Sequence, residues 1–74
     1  MLNHQLKDVE EKRKELKKKY RRMLITKREA ALELCCSTST IDRMRRENLL
    51  RSIRVRGRVM IALDEIAHVT VFGA

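Results

Sequence analysis

"ITKREAALELCCSTSTIDRMRRENLL", residues 25–50, decides the fold. Thr26 and Glu29 form T-x-x-E ahead of Ala30, Ala31 and Leu34. In a capping box of this type the hydroxyl and the carboxylate each satisfy a free backbone N–H at a helix start. A short helix is therefore expected over about 27–34. Cys35 and Cys36 make the turn, and Ser37 is the next N-cap. A second helix follows over about 38–47, with Ile41 and Met44 spaced by three on its inner face and Leu49 and Leu50 closing its far end. Two short helices on a tight turn read as a helix-turn-helix, whose second helix is free to enter a major groove.

Downstream the period changes to two. In "SIRVRGRVMI", residues 52–61, Ile53, Val55, Val59 and Ile61 are expected on one apolar face, with Gly57 supplying the turn. Arg54 and Met60, with the tip residues Arg56 and Arg58, then point outward. Asp64 and Glu65 open a last short helix through Ile66, where acids suit the first turn. "HVTVFGA", residues 68–74, alternates like a strand and is left as a tail.

Upstream, Leu2, Leu6, Val9, Leu16, Tyr20 and Met23 fall at alternating steps of four and three if Arg13 takes one seam position. That is the spacing of a dimerising coiled coil in a helix of roughly 20 residues. Acid-first pairs at i,i+4 (Glu10/Lys14, Asp8/Lys12, Glu15/Lys19) support the helix itself. An antiparallel pair suits the charges better, since it sets Glu10 against Lys17, whereas a parallel pair sets Lys12 against Lys17. The competing reading is a helix that packs Leu16, Tyr20 and Met23 on its own domain.

The expected architecture is thus mainly α with a small β-hairpin. A charged helix over 1–23 precedes a winged helix-turn-helix domain over 24–67 and a tail over 68–74.

Composition bounds the partner. The chain has 74 residues and a formal net charge of +8, with nine Lys/Arg in residues 1–23 and nine more beyond them. An excess of positive charge on both halves of so short a chain points to a polyanion, and to nucleic acid first. No apolar run approaches the roughly 18 residues of a membrane span. The amino end is charged almost from its start and does not read as a secretion leader, so a cytoplasmic location is expected. Adjacent Cys35 and Cys36 suit reduced thiols better than a strained vicinal disulfide. His4 and His68 have no partners at metal-ligand or triad spacing, and neither a nucleophile–base pair nor a phosphate loop is present. No enzyme activity, metal or cofactor is expected.

From Leu24 to Ile66 the chain resembles the excisionase-like (AlpA-like) helix-turn-helix family, related to the MerR winged-helix proteins. The matching stretches are the quoted segment, then "IRVRGRVMI" and "LDEI". Three departures from the family's pattern matter. Its turn glycine is Cys35, its glycine after the second helix is Asn48 and its recognition-helix aromatic is Asp42, while Cys36, a small hydrophobe, suits the apolar turn position. A carboxylate facing DNA would repel phosphate.

The resemblance implies a DNA-binding protein of a phage, plasmid or integrative element. It would act as a small transcription regulator, or as an excisionase that lines up on repeats, bends DNA and directs an integrase. Double-stranded DNA is the expected partner, bound as a homodimer or cooperative multimer. A recombinase or RNA polymerase would be the protein partner. A third reading is an interaction subunit whose N-terminal helix recruits another protein.

The residues expected on DNA lie at three places. Thr26, Lys27 and Arg28 stand at the first helix start. Ser37, Thr38, Ser39 and Thr40 stand at the second, where free N–H groups and hydroxyls attract phosphate. Arg43, on the outer face, is the candidate for a base edge and Arg46 for phosphate, with Arg45 beside it. Arg54, Arg56 and Arg58 form a basic wing tip suited to an adjacent groove. The competing reading of all these arginines is a solvated face paired with Asp42 and Glu47.

Overall fold

A computed structural model describes the backbone of residues 2–73 and the side chains of residues 6–73. Seven elements follow one another: α1 (Leu2–Tyr20), β1 (Leu24–Thr26), α2 (Lys27–Glu33), α3 (Thr38–Arg46), β2 (Ile53–Val55), β3 (Arg58–Ala62) and α4 (Leu63–Phe72). The protein is mainly α-helical with a small antiparallel sheet.

The α2–α3 pair forms from local signals. Thr26 Oγ1 accepts from the Glu29 N–H at 3.1 Å, and the Glu29 carboxylate accepts from the Thr26 N–H at 2.9 Å, completing the capping box. Ser37 Oγ accepts from the Thr40 N–H at 3.2 Å and caps α3. Each helix ends on a non-glycine residue with positive φ, Cys35 at 54° and Asn48 at 59°. After α2, Cys36 N–H donates to Ala31 O at 2.9 Å and Cys35 N–H to Leu32 O at 3.3 Å. After α3, Leu49 N–H donates to Met44 O at 2.8 Å and Asn48 N–H to Arg45 O at 3.1 Å. Both are the paired bonds of a Schellman motif, in which a left-handed residue lets the next N–H reach back to the last carbonyls. The chain therefore turns sharply at both points, and α2 and α3 share the buried residues Ala30, Ala31, Ile41 and Met44.

The sheet has a strand that the two-residue period did not announce. Its order is β1-β3-β2, antiparallel throughout, with Ile25 opposite Ile61 and Val55 opposite Arg58. The β2–β3 turn holds two residues, Arg56 at φ 52° and Gly57 at φ 80°. Positive φ at both central positions is the requirement of a type I′ turn, which matches the twist of paired strands. This corrects the expected register. A turn centred on Gly57 would set Val55 opposite Val59, but the tighter turn sets it opposite Arg58. A shift of one residue reverses faces. Ile53 and Val55 thus share a face with Arg58 and Met60, opposite to Val59 and Ile61. Ile61 is buried, while Ile53 and Val55 are exposed.

Helix α1 belongs to the same core. It packs along α4, with Arg13 Nε 3.7 Å from an Asp64 carboxylate oxygen. Leu16 is 2 % exposed and joins Ile25, Leu63 and Ile66 in the core, while Val9 and Tyr20 pack against its edge. This corrects the coiled-coil seam: its central leucine is used within the chain. Of the other seam residues, Leu6 is exposed, and the Leu2 side chain lies outside the described residues. Met23 stands beyond the end of α1, where Arg21 turns the chain at φ 55°; its carbonyl accepts from the Leu63 N–H at 2.9 Å. Lys19, expected to pair with Glu15, reaches Glu33 of α2 instead, and Glu15 pairs with Lys12.

The expected tail is also corrected, because α4 continues to Phe72. Its β-branched residues would favour a strand in isolation. Packing of Ala67 and Val69 toward the core overrides that preference. Thr70 folds its hydroxyl back onto the Ile66 carbonyl at 2.7 Å, and the His68 and Phe72 rings meet one helical turn apart at 4.6 Å. Among the described residues no helix is long and apolar enough to cross a membrane.

Candidate nucleic-acid interface

With Ile41 and Met44 buried, the face of α3 opposite them carries Ser39, Arg43 and Arg46, all exposed. Their spacing of four and three aligns them in one stripe. Arg43 makes one loose contact, 3.9 Å to Glu47, with both side chains more than half exposed. A pair of that kind contributes little and is released easily. Arg46 has no acidic partner among the described residues. At the start of α3, Ser37 and Thr40 share a hydroxyl–hydroxyl contact of 3.1 Å, while Thr38 and Ser39 make no side-chain hydrogen bond among the described residues.

Asp42 resolves the concern about a carboxylate on this helix. It accepts from Lys27 Nζ at 3.1 Å and 3.2 Å and from an Arg45 terminal nitrogen at 2.8 Å. These hydrogen bonds, from Lys27 first and Arg45 second, hold its pKa below the usual aspartate value. Arg45 Nε also donates to Ser52 Oγ at 2.8 Å. The four side chains tie the start of α2, the middle of α3 and the segment entering β2. Asp42 is therefore spent between elements rather than presented on the outer face. For the same reason Lys27 is partly neutralised, and Arg45, expected to reach phosphate, holds the scaffold.

Two shallow basic clefts lie beside α3. One, of about 470 Å³, is lined by Thr26, Lys27, Arg28, Thr38, Gly57 and Arg58. It brings together the start of α2, the start of α3 and the hairpin turn, which are distant in sequence. Arg28 and Arg58 are exposed on it, whereas the Thr26 hydroxyl is held by its cap. Arg56 sits in the turn and Arg54 on β2, both exposed. The second cleft, of about 700 Å³, is lined by Arg45, Arg46 and Arg51 together with Asp42, Asn48 and Ser52. Arg51 was not singled out from the sequence. Its segment has neither helical nor strand period, so the direction of its side chain was not readable. Its backbone N–H is fixed by Glu65 Oε1 at 2.8 Å, and its side chain is left to solvent.

The far side of α2 is fastened to α1. Glu33 accepts from Lys19 Nζ and Tyr20 Oη, each at 2.6 Å, and Glu29 pairs with Arg22. Hydrogen bonds from Lys19 and then Tyr20 lower the Glu33 pKa. Burial first, then the bond to Glu33, raises the Tyr20 phenol to about 12. The signs predict two limbs. Stability from Glu33 is present above the ordinary glutamate range and lost as pH falls through its lowered pKa. Stability from Tyr20 is complete below about 10, the ordinary value, and lost as pH rises toward about 12. Urea unfolding at pH 8 and pH 11 tests the second limb. The wild-type midpoint should fall more between the two than that of Tyr20→Phe; equal falls would remove Tyr20 from the account.

No group of three His, Cys, Asp or Glu side chains among the described residues is placed to hold a metal ion. Compared with known proteins, the chain matches no family model, no curated protein and no solved structure, and its own residues carry the functional reading.

Proposed function

We propose that the chain is a sequence-specific, double-stranded DNA-binding protein of a mobile element, built as a winged helix-turn-helix of the excisionase-like type. The supporting observation is the convergence of the α2 start, the α3 start and the hairpin turn on one basic cleft beside the exposed stripe Ser39, Arg43 and Arg46. In this reading α3 enters the major groove and Arg43 reads a base edge. Thr38, Ser39, Arg28 and Arg46 take phosphates, and the hairpin is the wing, with Arg56 and Arg58 at the neighbouring groove. The work is done where the DNA is, in the cytoplasm of the host cell.

Replacing Arg56 and Arg58 together by alanine should weaken binding to all duplexes alike. It should reduce the slope of log affinity against log salt by about 2, at about 0.9 per phosphate contact. Titrations at several salt concentrations measure this, and an unchanged slope would take the hairpin off the DNA.

The heptad spacing alone argues for a fixed dimer on paired half-sites, as in a small transcription regulator. Leu16 packed within one chain removes the centre of that seam. Protomers that add one by one to repeated sites, the excisionase mode, need no such seam and are favoured. A recombinase is then the protein partner, with RNA polymerase the partner in the regulator reading. Footprints separate the two: stepwise head-to-tail protection belongs to the first and one compact inverted repeat to the second.

A further inference from the structure

We infer that the outer face of the last two turns of α1 is a second phosphate-binding surface, so that the chain holds DNA at two patches. This rests on the DNA-binding reading and adds a contact outside the winged domain.

Helix α1 is polarised along its length. Residues 6–11 carry Asp8, Glu10 and Glu11 against one lysine, whereas residues 12–22 carry eight Lys/Arg against Glu15 alone. Three of these cations, themselves exposed, are paired within the chain: Arg13 with Asp64, Lys19 with Glu33 and Arg22 with Glu29. Lys14, Lys17, Lys18 and Arg21 are exposed and make no ion pair or side-chain hydrogen bond among the described residues. At 3.6 residues per turn the three lysines fall within an arc of about 100° on the side away from Leu16, and Arg21 follows just past the helix end.

Two features set this face apart from an ordinary solvated one. Cations in a last turn suit the helix dipole, but Lys14 lies before the last turn. The four also stand at i,i+3 and i,i+4 from one another, where like charges repel. The free protein thus carries a repulsive cluster that a polyanion would relieve. Among the described residues none of the exposed large apolar side chains falls between Lys14 and Arg21, and a protein partner would need such an anchor. Asp8, Glu10 and Glu11 oppose a helix lying full length on DNA, so the approach is by the carboxyl-terminal half. That half is joined to α2 through Glu29 and Glu33.

The test is a variant with Lys14, Lys17, Lys18 and Arg21 all changed to glutamine, titrated on a mixed-sequence duplex between 50 and 200 mM salt. The salt slope should fall by about 3 to 4, at about 0.9 per phosphate. The base preference selected from a randomised duplex pool should stay as in wild type, and the melting temperature of the free protein should hold or rise. A matching Lys14→Arg, Lys17→Arg, Lys18→Arg variant should keep the wild-type slope. An unchanged slope in the glutamine variant overturns the inference. So does a lowered melting temperature with the slope retained, which would assign these cations to the helix end alone. Wild-type protein that fails to bind any duplex would instead remove the DNA-binding reading itself, a result visible before any variant is made.

Discussion

Leu16→Ala is expected to lower the unfolding midpoint by more than 10 °C, to the same extent at every protein concentration. Leu16 is 2 % exposed, between α1 and the core that holds Ile25, Leu63 and Ile66. Removing buried leucine methyls and leaving a cavity costs about 2–5 kcal/mol. A domain of this size has about 3–5 kcal/mol in hand and loses about 4–8 °C per kcal/mol. The variant should therefore be partly unfolded at 37 °C. Leu6→Ala, at a position 57 % exposed, should change the midpoint by no more than about 0.5 kcal/mol allows. A coiled coil through the same heptads makes the opposite forecast: both leucines matter, and the loss deepens on dilution. Thermal melts of the two variants across a hundredfold range of concentration distinguish them. A concentration-dependent midpoint, or a large loss in Leu6→Ala, would return α1 to a partner chain.

Arg43→Ala should relax base preference at one position of the bound site while leaving the fold intact. The side chain is exposed, and its one ion pair among the described residues is the loose one with Glu47. Truncation should therefore stay within about 0.5 kcal/mol in stability. A bidentate arginine–guanine contact contributes about 1–3 kcal/mol of discrimination, so specific affinity should fall roughly tenfold to a hundredfold. Affinity for unrelated duplex should change by no more than one phosphate contact would. Arg45→Ala is the informative contrast, since Arg45 binds Asp42 and Ser52. It should cost stability and weaken binding without a change of preference. Sequences selected by each variant from a randomised duplex pool give the answer. An unchanged motif with Arg43→Ala would move base reading to another residue, with Arg46 next.

The stretch around the two short helices was legible because its signals are local. Thr26 with Glu29, and Ser37 with Thr40, close hydrogen bonds over three residues, so sequence spacing is enough to find them. The positive φ at Cys35 and Asn48 follows from the same compact turns. What escaped depends on partners far along the chain. Strand β1 is three residues long, too short for a period, and exists because Ile25 pairs with Ile61. The hairpin register turns on whether Gly57 is the centre of the turn or its second residue, and alternation of Val and Ile fits either. Helix α4 runs through Val69, Thr70 and Val71 against their propensity because α1 lies beside it. The heptads of α1 are real as a pattern. A stripe of that spacing suits a helix of the same chain as well as a helix of another, and only the fold says which one covers it.

The same division holds at the candidate interface. Arg43 and Arg46 could be placed by period and Arg56 by the turn, whereas Arg58 stands in β3 on the face of Ile53 and Val55, from which the expected register had set it apart. The Asp42–Arg45 pair, three residues apart, was within the competing reading of the arginines, but the part of Lys27 was not readable, because 15 residues of chain bring it back to Asp42. An ion-pair cluster here ties α2 to α3, and the outer stripe is left to the arginines.

The most direct measurement is selection of randomised duplex DNA by the full chain at two salt concentrations, with sequencing of the bound fraction. Enrichment of one short motif, in repeated copies when longer duplexes are offered, with affinity falling linearly in log salt, is the predicted result. Failure to retain duplex at low salt, or retention with no motif enriched, would contradict sequence-specific binding through α3.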